Sequence, residues 1–282
     1  MTPTALAVGL VLISAVMHAA WNLMLKMSGD KLIMAWGIRC GSLLVAIPFV
    51  VVAPPSAEVL PYVLISGLLH TLYDLALVSA YRLGEFSLVY TFARGISPAM
   101  AALLAFFALG ETLTALAIAG LVTTVIGLLM VSGSVPSSVN HPRRATTWSL
   151  VTAVVIACYT VLDAGGVRIE GNATGYVGAI FIVNFLSLTP VAVSRRWRHA
   201  DWSRLWREWR PAGIAAALQI TAYALVVFAL GLSPVGYITS LRETGVVFAA
   251  ILGWWILKEP YGSRRILGTA AVVAGVVTLS FG

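Results

Sequence analysis

Long apolar runs dominate this sequence and decide what it can fold into. Ten of them, each of about twenty residues, follow one another with short breaks between them, and about twenty apolar residues are what a helix needs to cross a bilayer. Charged residues make up 10% of the chain, whereas soluble domains carry about 25%. Since so apolar a chain cannot cover a water-exposed surface, we predict an all-α integral membrane protein with ten transmembrane helices.

A polar linker at about 134–147 divides the runs into two groups of five. The first five lie at about 4–26, 32–53, 59–81, 86–109 and 113–133, and the second five at about 148–167, 175–194, 211–231, 235–257 and 263–281. We number them as predicted spans 1 to 10. The sequence thus predicts a first five-helix repeat at 1–138 and a second, inverted five-helix repeat at 139–282.

An internal repeat supports this division. When the first half is shifted by 148 residues, Arg94 falls on Arg242 and Glu111 falls on Glu259. Two pairs of glycines coincide as well, namely Gly120 with Gly268 and Gly127 with Gly275. Because each half has an odd number of spans, the second half has to enter the membrane from the opposite side.

The basic residues predict the orientation. Of the 18 lysines and arginines, three lie deep inside the spans. Of the fifteen in loops or at span ends, fourteen fall on one predicted side, and Arg168 alone falls on the other. By the positive-inside rule the first side is cytoplasmic. We therefore expect an inner (plasma) membrane protein with both termini outside the cytoplasm. Its net charge of +7 then reflects contact with membrane lipid, and no nucleic acid is expected as a partner.

The loop at 195–211 has its own pattern. Trp202, Leu205, Trp206 and Trp209 recur at helical spacing, with arginines on the other faces. This arrangement predicts an amphipathic helix that lies in the membrane interface, with tryptophan at headgroup depth.

The segments 103–127 and 251–275 share one pattern: an apolar helix, a glutamate at the turn, and a helix with two glycines seven residues apart. Glu111 and Glu259 are predicted to cap the helices that they start, and the glycines to permit close helix packing. The pattern resembles the EamA-type ten-helix transporters of the drug/metabolite transporter superfamily, and the resemblance extends over nearly the whole chain. It implies exporters of amino acids and related metabolites, with a central cavity lined by spans 1, 3, 4, 6, 8 and 9.

Ionisable residues inside the spans are costly and therefore indicate function. Arg94 and Arg242 occupy equivalent positions in spans 4 and 9, and each guanidinium could hold a substrate carboxylate through paired N–H donors. The alternative is an internal ion pair with an acidic residue of the spans, such as Asp74, Asp163 or Glu243. Arg39 in span 2 lies outside the implied cavity, where pairing or snorkelling is more typical.

Polar and aromatic residues share a face in four of the spans. His70, Tyr73 and Asp74 lie at i, i+3 and i+4 in span 3. Spans 1, 6 and 8 carry similar faces, made by Trp21 and Asn22 next to His18, by Tyr159 and Asp163, and by Gln219 and Tyr223. These residues, with Arg94, Arg242 and Glu243, are the predicted substrate-binding set. The alternative is that they join helices through hydrogen bonds.

The spans contain charges of both signs, and this favours a zwitterionic substrate. We predict a secondary transporter that exports amino acids or similar metabolites by alternating access, without a cofactor or a metal. A proton-coupled exporter of another metabolite or drug class is the main alternative. An intramembrane enzyme is disfavoured because the H-E-x-x-H and G-x-S-x-G motifs are absent from the sequence, and a non-transporting scaffold is the third class. The oligomeric state stays open.

Overall fold

The computed structural model describes residues 5–109, 114–132, 142–197, 202–230, 241–260 and 262–281. Every regular element in these ranges is helical. The α-helices are α1 (Ala5–Met27), α2 (Lys31–Val52), α3 (Leu60–Leu83), α4 (Phe86–Gly95), α5 (Ser97–Leu109), α6 (Ala115–Ser132), α7 (Pro142–Glu170), α8 (Ala173–Trp197), α9 (Trp202–Leu230), α10 (Gly245–Trp255) and α11 (Ser263–Ser280), and a short 3₁₀ turn at Ala57–Val59 precedes α3.

Helix length and surface composition both fit a membrane protein. Among the described residues, five helical stretches are long and apolar enough to cross a bilayer: 5–27, 31–52, 57–83, 143–170 and 173–194. Large apolar side chains lie on the outside of the bundle, and Leu44 and Val52 are about 80% exposed. Since water would disfavour such a surface, lipid is its solvent. The prediction of an all-α membrane protein is confirmed.

Predicted span 4 is two helices rather than one. α4 ends at Gly95 and α5 begins at Ser97. Pro98 has no N–H to bond the carbonyl of Arg94 four residues earlier, so the helical ladder is interrupted there. The Ser97 hydroxyl bonds this carbonyl instead, at 3.2 Å. A second turn at 243–244 precedes α10, so an interruption lies beside each of the two equivalent arginines.

Most helix packing joins the first half to the second. α1 packs on α9 and α3 on α7, while α2 contacts both α8 and α9, and α3 also contacts α8. Side chains bond across these contacts: Ser14 to the Ala222 carbonyl at 2.7 Å, and the Trp36 indole to Thr189 at 2.9 Å. The polar faces of α1, α3, α7 and α9 are thereby brought between the two halves.

The repeated glycines lie where α6 crosses α11, as predicted. A Cβ on Gly127 would lie 2.7 Å from the Gly268 carbonyl oxygen, and a Cβ on Gly275 would lie 2.7 Å from the Gly120 carbonyl oxygen. Only glycine allows two backbones to approach this closely. The order of these contacts makes the two helices antiparallel.

The prediction that Glu259 caps the helix it precedes is wrong. Its carboxylate accepts hydrogen bonds from the backbone N–H groups of Phe86 and Ser87, and from the Ser87 hydroxyl, at the start of α4. Arg265 strengthens the same contact through an ion pair with Glu85 at 2.6 Å. Glu259 therefore caps a helix of the other half, where a carboxylate meets free donors and the positive dipole end. Glu111 lies outside the described residues.

The tryptophan- and arginine-rich segment is helical, but it is not a separate helix. α9 runs without a break from Trp202 through Pro211 to Leu230. Trp209 is 64% exposed, whereas Glu208 accepts the backbone N–H of Gly29 at 2.9 Å. One face of the segment is thus fixed to the α1–α2 loop, and its position in the membrane interface stays a prediction.

Candidate functional site

Two arginines converge on one glutamate beside the two helix interruptions. Nη2 of Arg94 donates to Oε1 of Glu243 at 2.8 Å, and Nη2 of Arg242 donates to the same oxygen at 3.4 Å. The Arg94 and Glu243 side chains are only 13% and 8% exposed, whereas that of Arg242 is 39% exposed. The ion-pair alternative is thus realised for both arginines, and the Arg94–Glu243 pair links the two halves.

Helix α1 adds aromatic and imidazole groups beside this ion cluster. The Trp21 indole donates to Nδ1 of His18 at 3.3 Å, and the His18 ring stands edge-on to Tyr90 with a centroid distance of 6.3 Å. Asn22 points elsewhere: it donates to the His18 carbonyl and accepts the Tyr81 hydroxyl at 3.0 Å. His18 therefore lies within electrostatic range of both arginines and carries Trp21 beside it, while the contacts of Asn22 are those of a residue that joins α1 to α3.

Asp74 is held by Arg39 rather than by Arg94. Nε and Nη2 of Arg39 donate to the two carboxylate oxygens at 2.9 and 2.7 Å, and both side chains are 3% exposed. Nη1 of Arg39 also reaches Gln219 at 3.5 Å. This is the paired-donor geometry in which arginine binds carboxylates most strongly. Asp74 and Gln219 are therefore committed to a contact between α2, α3 and α9.

A second polar group surrounds Asp163 on α7. The carboxylate accepts the Tyr176 hydroxyl at 3.0 Å and a further bond from Ser66. Nearby, Nδ1 of His70 contacts the Ser66 carbonyl at 2.9 Å. In the part of the chain that the structure describes, no lysine or arginine forms an ion pair with Asp163. Among the acids of the predicted binding set, Asp163 thus differs from Asp74 and Glu243.

Tyr159 lies between the two groups of charges. Its ring stacks on His70 at a centroid distance of 4.0 Å and meets Tyr73 edge-on at 6.2 Å. Electrostatic interactions reach it from Arg94 and Arg242, and also from Asp163. Tyr223 is more peripheral, because it is 38% exposed and packs edge-on against Phe181. Positive and negative groups therefore lie around one aromatic residue.

Some members of these clusters are absent from the predicted binding set. Tyr90 lies one helical turn before Arg94 and shares its face, so the i, i+4 spacing could have identified it. Ser66 lies one turn before His70 in the same way. Tyr176 gave no such signal, because it meets Asp163 only through the packing of α7 against α8. Arg39 was expected to pair or to snorkel, and it pairs.

A groove of about 490 Å³ lies elsewhere, between α10 and α11. Its lining is Val247, Ala250, Ile251, Trp254, Ile266, Thr269 and Ala270. Several of these side chains are about half exposed on the outer surface. The groove has almost no polar group to orient a metabolite, so it is not the candidate site.

The long helices with apolar outer surfaces make this a multi-pass membrane protein. Residues 143–281 match the model of the EamA-like transporter family, so the chain carries an EamA-like transporter domain. Among solved structures, one described simply as a protein crystal structure shares the fold with a TM-score of 0.61. The alignment covers 96% of this chain and 95% of the other at 16% identity. A comparison with curated proteins found no match.

Proposed function

We propose that the protein is a secondary transporter that exports amino acids or similar zwitterionic metabolites by alternating access. The observation that carries the proposal is the Arg94–Glu243–Arg242 cluster. It places two positive charges and one negative charge beside helix interruptions between the halves. Interrupted helices at a repeat interface are where secondary transporters bind their substrates. EamA-like proteins are membrane transporters of small molecules. The zwitterionic substrate is what we propose in addition.

The packing supports an inverted repeat of two five-helix halves. If spans 1 to 5 correspond to spans 6 to 10, the α1–α9 contact is the image of the α7–α3 contact, and both occur. The α2–α9 and α8–α3 contacts form another such pair. The contact of Gly127 with Gly268 is likewise the image of that between Gly275 and Gly120. A pseudo-two-fold axis generates such paired contacts, and it would let one half rock against the other.

A zwitterion would balance the charges of both signs that line this site. Arg242 is the more exposed of the two arginines and would take the carboxylate. Asp163 would take the amine, because Arg39 and Arg94 already neutralise Asp74 and Glu243. Three aromatic rings of the predicted set would face the substrate side chain, namely Trp21, Tyr73 and Tyr159, with the more peripheral Tyr223 further out. Rings supply apolar area and cation–π contact without requiring one shape, so broad specificity is expected.

Substrate counterflow into proteoliposomes tests the proposal. Vesicles that contain the purified protein and an unlabelled amino acid should transiently accumulate the same amino acid when it is labelled outside. Two matched analogues, the decarboxylated amine and the N-acetyl derivative, each lack one charge. They should compete at least ~10-fold more weakly, since each loses a hydrogen-bonded charge contact. Exchange of nucleosides or sugar phosphates without exchange of any amino acid would refute the zwitterion.

The orientation has its own test. We propose that both termini lie outside the cytoplasm, because this places fourteen basic residues of the loops and helix ends inside. A reporter that is active only in the cytoplasm should therefore give no signal when it is fused after Gly282. The same reporter inserted at 136, in the polar linker, should be active and serves as the control. A strong C-terminal signal would overturn the orientation or the number of spans.

A further inference from the structure

The two arginines bind Glu243 unequally, and in the described part of the chain the Glu243 carboxylate uses only one of its two oxygens. Its Oε1 receives an N–H from each of two guanidinium groups. Among the described residues, neither Oε2 of Glu243 nor Nε of Arg242 has a hydrogen-bond partner. The Arg94 contact is short and shielded, while the Arg242 contact is 3.4 Å long on a side chain that is 39% exposed. Glu243 thus forms a close ion pair with Arg94 and a weaker contact with Arg242.

Arginine holds a carboxylate best through two parallel N–H···O bonds, as Arg39 holds Asp74 in this same chain. Arg242 makes one long bond to a carboxylate and keeps further donors, so a free carboxylate of suitable position would bind it better. The two arginines and one glutamate also leave one positive charge uncompensated, and an incoming anion would balance it.

We propose that Glu243 is an internal stand-in for the substrate's carboxylate: it contacts Arg242 in the empty transporter and gives way when substrate binds, while it stays paired with Arg94. The inference rests on the proposed function and deepens it, because it makes Glu243 a competitor that sets the affinity rather than a ligand for the amine. The position suits an exchange. Glu243 lies in the turn before α10, where the helical ladder is interrupted.

The two roles of Glu243 predict opposite signs. If Glu243 competes with substrate, Glu243→Gln should raise the affinity for a carboxylate ligand by roughly ten- to a hundred-fold, the strength of a charged hydrogen bond. If it holds the amine, the same substitution should lower the affinity by a similar factor. Glu85→Gln is the matched control, because it breaks an Arg–Glu pair at the opposite end of α4 from Arg94 and should leave the affinity unchanged.

The experiment measures binding to purified protein in detergent, with each of the twenty standard amino acids and their N-acetyl derivatives as probes. Size-exclusion chromatography checks folding. Arg94→Gln/Glu243→Gln is the second variant, since it removes the pair together and leaves Arg242 free. It should also bind more tightly than the wild type.

The outcomes separate the two proposals. If amino acids bind the wild type and bind both variants more tightly, the results support the role of Glu243 and the proposed function together. Amino-acid binding that is unchanged or weaker in the variants overturns the role of Glu243 and leaves the proposed function standing. If only N-acetyl derivatives bind, and bind the variants more tightly, the competing role of Glu243 is supported and the proposal of a zwitterionic substrate is refuted. Absence of binding to every form overturns both.

Discussion

Replacing Asp74 by alanine is expected to destabilise the protein by about 3–5 kcal/mol, the usual cost of leaving one partner of a buried ion pair without the other. Arg39 would remain 3% exposed between three helices. Its guanidinium cannot lose its proton at any accessible pH. Thermal unfolding in detergent should show a large fall in the midpoint, and the yield of monodisperse protein should fall with it.

The double variant Arg39→Leu/Asp74→Leu is the matched control. Well-packed apolar pairs can replace a buried ion pair with little loss of stability, so the double variant should regain most of what Asp74→Ala loses. It should also still transport, because the structure commits Asp74 to Arg39 and not to a ligand. If Asp74→Ala kept wild-type stability, or if the stable double variant could not transport, Asp74 would belong to the binding site instead.

The apolar runs were enough to predict where most helices lie. α1, α2 and α6 begin and end within a few residues of the predicted spans, because a bilayer fixes how long an apolar helix has to be. The glycine repeats likewise predicted close packing, since glycine in a membrane helix lets a second backbone approach closely.

At two prolines the predicted helix ends are wrong: one break was missed, and one helix continues where an end was expected. Pro98 lies three residues after the end of α4 at Gly95, yet span 4 was predicted as one helix. Pro211 was taken as the end of the amphipathic segment, yet α9 continues through it. The local chemistry of the two prolines is the same. A single sequence does not reveal which of the two prolines a helix continues through.

Partners across the bundle were the least predictable part of the site. For Arg94 the sequence left substrate binding and an internal ion pair open, and it offered three acids for the pair. Helix packing selects Glu243 for Arg94 and leaves Asp74 to Arg39. Glu259 shows the same limit, because its carboxylate caps α4 across the fold rather than the next helix of its own half. Local spacing predicts a charged group's need for a partner, whereas the fold decides which partner it meets.

Arg242→Lys is expected to weaken substrate binding by roughly ten- to a hundred-fold. Lysine keeps the positive charge but loses the planar fork that grips both oxygens of a carboxylate. Arg94→Lys should have a smaller effect, because Arg94 makes a single short bond to Glu243 that an ammonium group can also make. Protein yield and monodispersity have to match the wild type before the two variants are compared.

The role of Arg242 in binding the substrate carboxylate is tested most directly by amino-acid counterflow, measured for these two variants and the wild type in the same proteoliposomes. We expect Arg242→Lys to require a roughly ten- to hundred-fold higher amino-acid concentration for half-maximal exchange, while Arg94→Lys stays closer to the wild type. If both variants exchange amino acids as the wild type does, neither arginine holds a carboxylate, and the cluster around Glu243 serves only to join the two halves.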